Sequence, residues 1–232
     1  MRIKPLSKQR GAVRWIGFAL GLLLLLAGFS GLIWSLWANR SAVLETDIPA
    51  VRVPLSWDEQ DCELLIPAGR MRLTWPERIG LGRSGKVAVS YLPDADLEWE
   101  CAQPLPEGSS IPDVFLELRL EIPESLVEPA LSLQQKFLPV SKKSFGWSVH
   151  FPQRTGVFTA TIRMKTLIRF AEASTNSAVP VENLDDWLLA TREMPVSVVS
   201  VLELPAGMIL AASIGCLLVG LFGLLFLPII YH

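Results

Sequence analysis

The residues that could do chemistry fall in a few short stretches, and each lacks part of the set its chemistry needs. Gly80-Leu81-Gly82-Arg83-Ser84-Gly85-Lys86 has the glycine and lysine spacing of a phosphate-binding loop. Such a loop also needs a Ser or Thr after the lysine to hold Mg²⁺, and a helix that starts there. Here Val87 follows, and Val87 to Tyr91 alternates like a strand. Asp94, Asp96, Glu98 and Glu100 also alternate, so an extended chain would gather their carboxylates on one side, where a hard cation could meet them. The glycine and the additional oxygen ligands of a calcium loop are missing. The stretch reads as a solvated acidic edge, which discourages pairing with another chain.

His150 is the one histidine between the two long apolar runs. It lies on the outward phase of its strand, and no G-x-S-x-G nucleophile signature accompanies it, so a general-base role has no partners. Arg154, Arg163, Lys165, Arg169, Lys142 and Lys143 gather in the second half and would suit anionic headgroups or polymers. Outward strand positions are commonly charged, which accounts for them equally well. The cysteines are Cys62, Cys101 and Cys216, with no C-x-x-C or Cys/His cluster of the kind that holds zinc. No metal or cofactor is expected, and the chain is expected not to be an enzyme.

The elements that must position these residues are set by two uncharged runs. Trp15 to Trp37 contains no charged residue, and at 1.5 Å per residue it covers roughly 34 Å, enough for a bilayer core. Leu204 to Tyr231 is the second such run. The first is about twice the usual signal-peptide apolar length, and Leu36 with Ala38 makes a poor cleavage site, so it is read as an uncleaved anchor. Arg2, Lys4, Lys8, Arg10 and Arg14 precede it with no acid among them, and the positive-inside rule puts this tail in the cytoplasm. The expected organisation is a basic cytoplasmic tail (1–14), a transmembrane helix (15–37), a juxtamembrane connector (38–67), an extracytoplasmic β-sandwich (68–204), a second transmembrane helix (205–230) and a cytoplasmic stub (231–232). Both termini are then cytoplasmic in a cell membrane, inner or plasma, and the central segment lies outside.

Small residues recur along each span: Gly17, Gly21, Gly28 and Gly31 in the first, Gly207, Ala211, Gly215 and Gly223 in the second. Such faces let helices approach closely, and they are expected to mark contact between the spans or with a partner. Glycine is also simply frequent in transmembrane helices. Trp15 at one end of the first span and Trp34 and Trp37 at the other fit the aromatic belt at a membrane interface. Asn39-Arg40-Ser41 matches a glycosylation sequon but abuts the span, and is read as chance.

Between the spans the pattern is that of half-buried strands. Residues 38–67, broken by Pro49, Pro54 and Pro67, predict an irregular connector with at most one edge strand. Met71, Leu73 and Trp75 alternate with polar residues, as do Val87, Val89 and Tyr91 after the glycine-rich turn. Val114, Leu116, Leu118, Leu120 and Ile122 give one apolar face opposite Glu117, Arg119 and Glu121. Phe145, Trp147, Val149 and Phe151 are expected to form a hairpin with Phe158, Ala160, Ile162 and Met164 through a turn at Pro152 to Gly156. Residues 171–179 predict a loop, Asn183 through Thr191 a short helix with Leu184, Trp187 and Leu188 on one face, and Val196 to Leu202 a last strand.

Six to eight short strands with Gly and Pro turns predict an antiparallel sandwich. In the glycine-rich turn before Lys86 to Tyr91, the strand Val114 to Ile122, and the Phe145-Gly146-Trp147 strand answered by Gly156 to Phe170, the segment resembles bacterial extracytoplasmic immunoglobulin-like domains. It departs from antibody-type domains in lacking a cysteine in the later strands, and such a resemblance carries no function by itself.

Cys62 and Cys101 both fall in the segment expected to lie in an oxidising compartment, where paired thiols are oxidised. A bridge between them is expected, closing a loop of roughly 40 residues for about 3 to 4 kcal/mol; two unrelated buried thiols is the other reading. A formal net charge of −2 gives no reason to expect nucleic acid. The expected function is a non-catalytic two-pass membrane protein whose outer domain binds or braces a membrane-protein partner or a second copy, as an accessory or assembly subunit of an envelope complex. The alternative is an envelope sensor or pore-forming module that couples ligand binding outside to helix packing.

Overall fold

The computed structural model describes residues 7–57, 60–102, 113–130, 132–137, 141–169 and 185–230. The first element is a helix, α1 (Ser7–Trp37), the last is a helix, α2 (Ala206–Ile230), and all the strands lie between them. Over Trp15–Trp37 and Ala206–Leu225 the two helices are long and apolar enough to cross a bilayer. α1 starts inside the expected tail, because Lys8, Gln9, Arg10, Ala12 and Arg14 are good helix formers and the helix does not stop where hydrophobicity does. Arg2, Lys4, Tyr231 and His232 lie outside the described residues.

The strands are β1 (Arg40–Ile48), β2 (Val51–Trp57), β3 (Gln60–Ile66), β4 (Gly69–Gly80), β5 (Ser84–Pro93), β6 (Glu98–Cys101), β7 (Asp113–Glu121), β8 (Leu126–Glu128), β9 (Leu133–Lys136), β10 (Lys143–His150), β11 (Gly156–Arg169) and β12 (Asp185–Val199). Nine make one curled sheet in the order β8-β10-β5-β4-β12-β11-β7-β9, with β1 added on β4. A second, three-stranded sheet runs β2-β3-β6. Alternation decides which side chains turn inward: Met71, Leu73, Val87, Val89, Tyr91, Leu116, Leu118, Trp147, Ile162 and Met164 are buried in one cluster. The small sheet adds Val53, Leu55, Leu64 and Ile66 to that cluster, so both sheets enclose one core.

Several expectations need correction. Residues 38–67 hold three strands, not an irregular connector. Their prolines sit where a missing N–H is tolerated: Pro49 and Pro67 between strands, Pro54 in β2 at the border of the small sheet. The alternation of β1 is blurred because Val43 and Leu44 are both exposed. β10 and β11 are not a hairpin. β10 pairs with β5 and β8, and β11 with β12 and β7, so residues 151–155 carry the chain from one arm of the curled sheet to the other. Periodicity fixes a strand's buried face, not its neighbour.

The described part of the expected helix, from Asp185, is strand β12, while Asn183, Leu184 and residues 171–179 lie outside the described residues. Its helical spacing is an accident of a bulge: Met164 faces Ala190 and Lys165 faces Leu188, which leaves Leu189 unpaired and shifts the phase. The last strand stops at Val199, because Leu202 and Glu203 take positive φ of 53° and 58° and turn the chain back. The sheet is mixed, since β12 runs parallel to β4 from Ser197 to Val199, and the described residues hold twelve strands where six to eight were expected.

Candidate functional site at the helix and domain junction

α1 and α2 pack along their length. A Cβ on Gly28 would meet the Ser213 carbonyl oxygen at 2.7 Å, one on Gly21 would meet Leu224 at 3.2 Å, and one on Gly31 would run into the Ser213 side chain. From the other side, a Cβ on Gly220 would sit 2.8 Å from the Gly21 carbonyl oxygen. Among the residues of α2 whose burial is described, Ala206, Ser213 and Gly220 are the buried ones, a seven-residue row. The stripe predicted for α2 points elsewhere. Gly207 and Gly215 have no atom within 4 Å of an added Cβ, and Ala211 is exposed. The contact row through Ala206, Ser213 and Gly220 lies on a different side of the helix from Gly207, Ala211 and Gly215, so a four-residue count misses the face that meets α1. Gly17 and Gly223 are half-buried, as is Trp34, whereas Trp15 and Trp37 are exposed.

Where the helices meet the β domain, their free backbone groups are taken up by named partners. The Ala38 N–H donates to the Trp34 carbonyl at 2.7 Å, and Asn39 Nδ2 donates to the Ser35 carbonyl at 2.6 Å, which caps α1. Asn39 Oδ1 in turn accepts the Gly80 N–H at 3.5 Å, a long bond that ties the same side chain to β4. On the other helix the Ala206 N–H donates to the Leu81 carbonyl at 2.8 Å, while the Leu81 N–H donates to the Val199 carbonyl at 2.9 Å. The β4–β5 turn is therefore clamped between β12 and the start of α2. Gly80 has no room for a side chain, since an added Cβ would overlap that of Ala206, which is fully buried along with Ala38. Outside this seam the Arg78 guanidinium lies 4.3 Å over the Trp37 ring, and Arg40 pairs with Glu77 at 3.4 Å.

At the far end of the domain, Cys62 on β3 and Cys101 on β6 stand directly opposite one another and are joined by a disulfide. Beside it is an open groove of about 460 Å³ lined by Pro54, Leu55, Asp61, Glu63 and Glu100. Arg52 pairs with Glu63 at 3.3 Å and reaches Glu100 at 4.0 Å, so these acids form a hydrated surface. Tyr91, fully buried, donates from its hydroxyl to the Pro67 carbonyl at 3.1 Å; burial, and then the charge of Asp94, push its pKa up to about 12. Lys143, opposite Tyr91, is buried with Nζ 2.7 Å from Ser141 Oγ, and burial pushes its pKa down.

The stretches that could do chemistry stay apart. Gly80 to Lys86 joins two strands of a hairpin and precedes no helix. Glu98 and Glu100 lie on β6, Asp94 and Asp96 in the bend before it, and no group of three His, Cys, Asp or Glu side chains able to hold a metal occurs among the described residues. His150 is exposed, with Glu128 at 3.9 Å. The basic residues separate into local contacts: Arg154 with Glu124, Arg163 with Glu121, Arg169 with Gln134 and the Phe115 ring, and Lys143 buried. Sequence reasoning missed Asn39, Arg78, Gly80 and Ala206. The readable signal was an Asn directly after an apolar run, and a Pro-Ala pair starting the next. Comparison of the chain with protein-family models, with curated proteins and with solved structures gives no match.

Proposed function

We propose that the chain is a non-catalytic two-pass protein of a cell membrane, with both termini in the cytoplasm and the β domain outside. In this reading the domain binds or braces a membrane-protein partner, as an accessory or assembly subunit of an envelope complex. The observation that carries it is the clamped junction: Asn39, Gly80, Leu81 and Ala206 hold the domain in a fixed pose on the helix pair, as a presenting or bracing part requires. Gly207, Ala211 and Gly215 support it further, since they leave an open small-residue face on α2 while other residues make the contact with α1. The kinship with immunoglobulin-like outer domains belongs to this reading only as far as alternating strands around a shared core, the parallel β4 and β12 pair being a departure.

Two measurements test the proposal. In a Cys216→Ser background, an impermeant maleimide added to intact cells reaches a cysteine replacing Ser144 and misses one replacing Ser7; labelling at Ser7 alone inverts the topology. After gentle detergent extraction, a defined partner comes with the parent chain and is lost from Gly215→Leu. Recovery of the chain entirely by itself overturns the accessory role.

A further inference from the structure

Register places one set of strand ends together on the helix side of the domain. Val199 stands beside Gly80, Val198 opposite Gly156, Ser84 opposite His150, and His150 opposite Leu126. The turns around this rim carry large apolar side chains with little cover: Leu202 is 85% exposed, Val157 71% and Leu126 58%. Leu202 is the clearest case. It sits at φ +53° in a turn held by the Leu204 N–H to Val201 carbonyl bond (3.1 Å) and by Ser200 Oγ donating to the Leu204 carbonyl (2.6 Å). Gly or Asn suits that backbone, and a leucine there is left almost wholly in the open. Folding within the chain gives no reason for it.

We infer that this rim rests in the interface of the lipid bilayer, with Leu202, Val157 and Leu126 as the inserted side chains. The occupant follows from continuity. The Leu202 turn leads through Pro205 directly into the apolar run of α2, and α1 ends beside it at Trp37, an exposed indole with the Arg78 guanidinium over its ring, as interfacial anchors are built. Apolar side chains on such a rim reach the headgroup and acyl boundary, ~5–10 Å deep. Among the neighbouring charges Arg154 is paired with Glu124, which lowers the cost of bringing these two against the headgroups, while Glu203, next to Leu202, is exposed. The inference rests on the reading of the helices as membrane spans, and it adds that the domain lies down on the membrane instead of standing clear of it.

The test uses the full chain, with Cys216→Ser, in phosphatidylcholine and phosphatidylglycerol vesicles with and without brominated acyl chains. Single cysteines replacing Leu126, Val157, Leu202, Leu188 and Leu218 carry an environment-sensitive fluorophore. Leu188 is as exposed as Leu126 but lies well along β12 from the helices, and Leu218 is in α2. The expected result is blue-shifted emission, quenched by the brominated lipid, at Leu126, Val157, Leu202 and Leu218, with neither change at Leu188. Unquenched rim labels beside a quenched Leu218 label overturn this inference and leave the membrane reading standing. An unquenched Leu218 label overturns both, and quenching at Leu188 equal to the rim overturns the specific orientation.

Discussion

At the end of the β domain that meets the helices, contacts are made by backbone groups and by residues almost without side chains, Gly80 against Ala206 and Asn39 across the seam. At the far end the small sheet is held by a covalent bridge and a shared core beneath an outer layer of Arg52, Glu63 and Glu100. The two ends solve different problems. A junction that must hold orientation cannot use long side chains, whose rotamers leave slack, so it uses close approach and capped helix termini. A small sheet with few strands buries too little to hold itself, so it is tied to the large one through its core and stapled at its border.

The largest expected effect breaks the far end and leaves the junction. Cys62→Ser with Cys101→Ser opens a loop of sequence separation 39. It should cost about 4 kcal/mol on the chain-entropy relation. Hydrogen exchange in detergent should show β2, β3 and β6 losing protection while β4, β5 and β12 next to the helices keep theirs. Equal loss at both ends would mean the domain is one cooperative unit with no separable cap.

The next effect breaks the helix side. Gly28→Leu forces a side chain onto the Ser213 carbonyl oxygen and Leu217, and should cost about 3 kcal/mol, because backbone on a packed helix cannot step aside. Crosslinking between cysteines on the two helices should fall in this variant. It should stay unchanged in Gly215→Leu, whose added atoms meet open space. A fall in both would show that the helices pack on another face.

The same contrast explains what could be read in advance. Faces were legible: the inward and outward sets of β7, β10 and β11 are those their alternation demands, with Val114, Leu116 and Leu118 buried and Arg119 exposed. A local pattern was enough for that, because side-chain direction in a strand is set by the pleat. Neighbours were not legible. β10 and β11 look like a hairpin because their spacing permits one, yet each pairs with a distant strand, and that choice depends on how the whole sheet curls. The junction was hidden for a related reason: apart from Asn39 it is made of backbone, glycine and alanine, which leave no hydrophobic or charge signature. β12 was hidden by a bulge that mimics helical spacing across Trp187 and Leu188.

Alkaline titration probes two facing groups of the far end, Tyr91 and Lys143, by charge. Folding raises the Tyr91 pKa from 10.0 to about 12. Its contribution is therefore fully present below pH 10 and is lost as pH rises toward about 12, for about 2–3 kcal/mol. Lys143 acts in the opposite sense. Its folded pKa is lowered, so the unfolded chain binds more protons below 10.5 and stability rises with pH there. Denaturant midpoints in detergent from pH 8 to above 11 should fall in the parent beyond pH 10 and fall less in Tyr91→Phe. Parallel curves for the two would mean that the phenol ionises as freely in the fold as in water.

The smallest effect sharpens the account of the core between the two ends. Thr166 on β11 lies between Leu116 of β7 and Trp187 of β12, fully buried, and its hydroxyl finds no hydrogen-bond partner among the described residues. Withdrawing a hydroxyl from water without a replacement bond is unfavourable, so Thr166→Val, which keeps the branched shape and removes only the polarity, should stabilise the domain by about 1 kcal/mol. Thr166→Ser keeps the hydroxyl but loses a buried methyl, and should destabilise by about 1 kcal/mol. Opposite signs in thermal or urea midpoints would identify the hydroxyl as the unfavourable part of an otherwise well-packed side chain. If Val is the destabilising change, the hydroxyl is bonded in the folded protein, and the middle of the sheet is held by a polar contact like those at the junction.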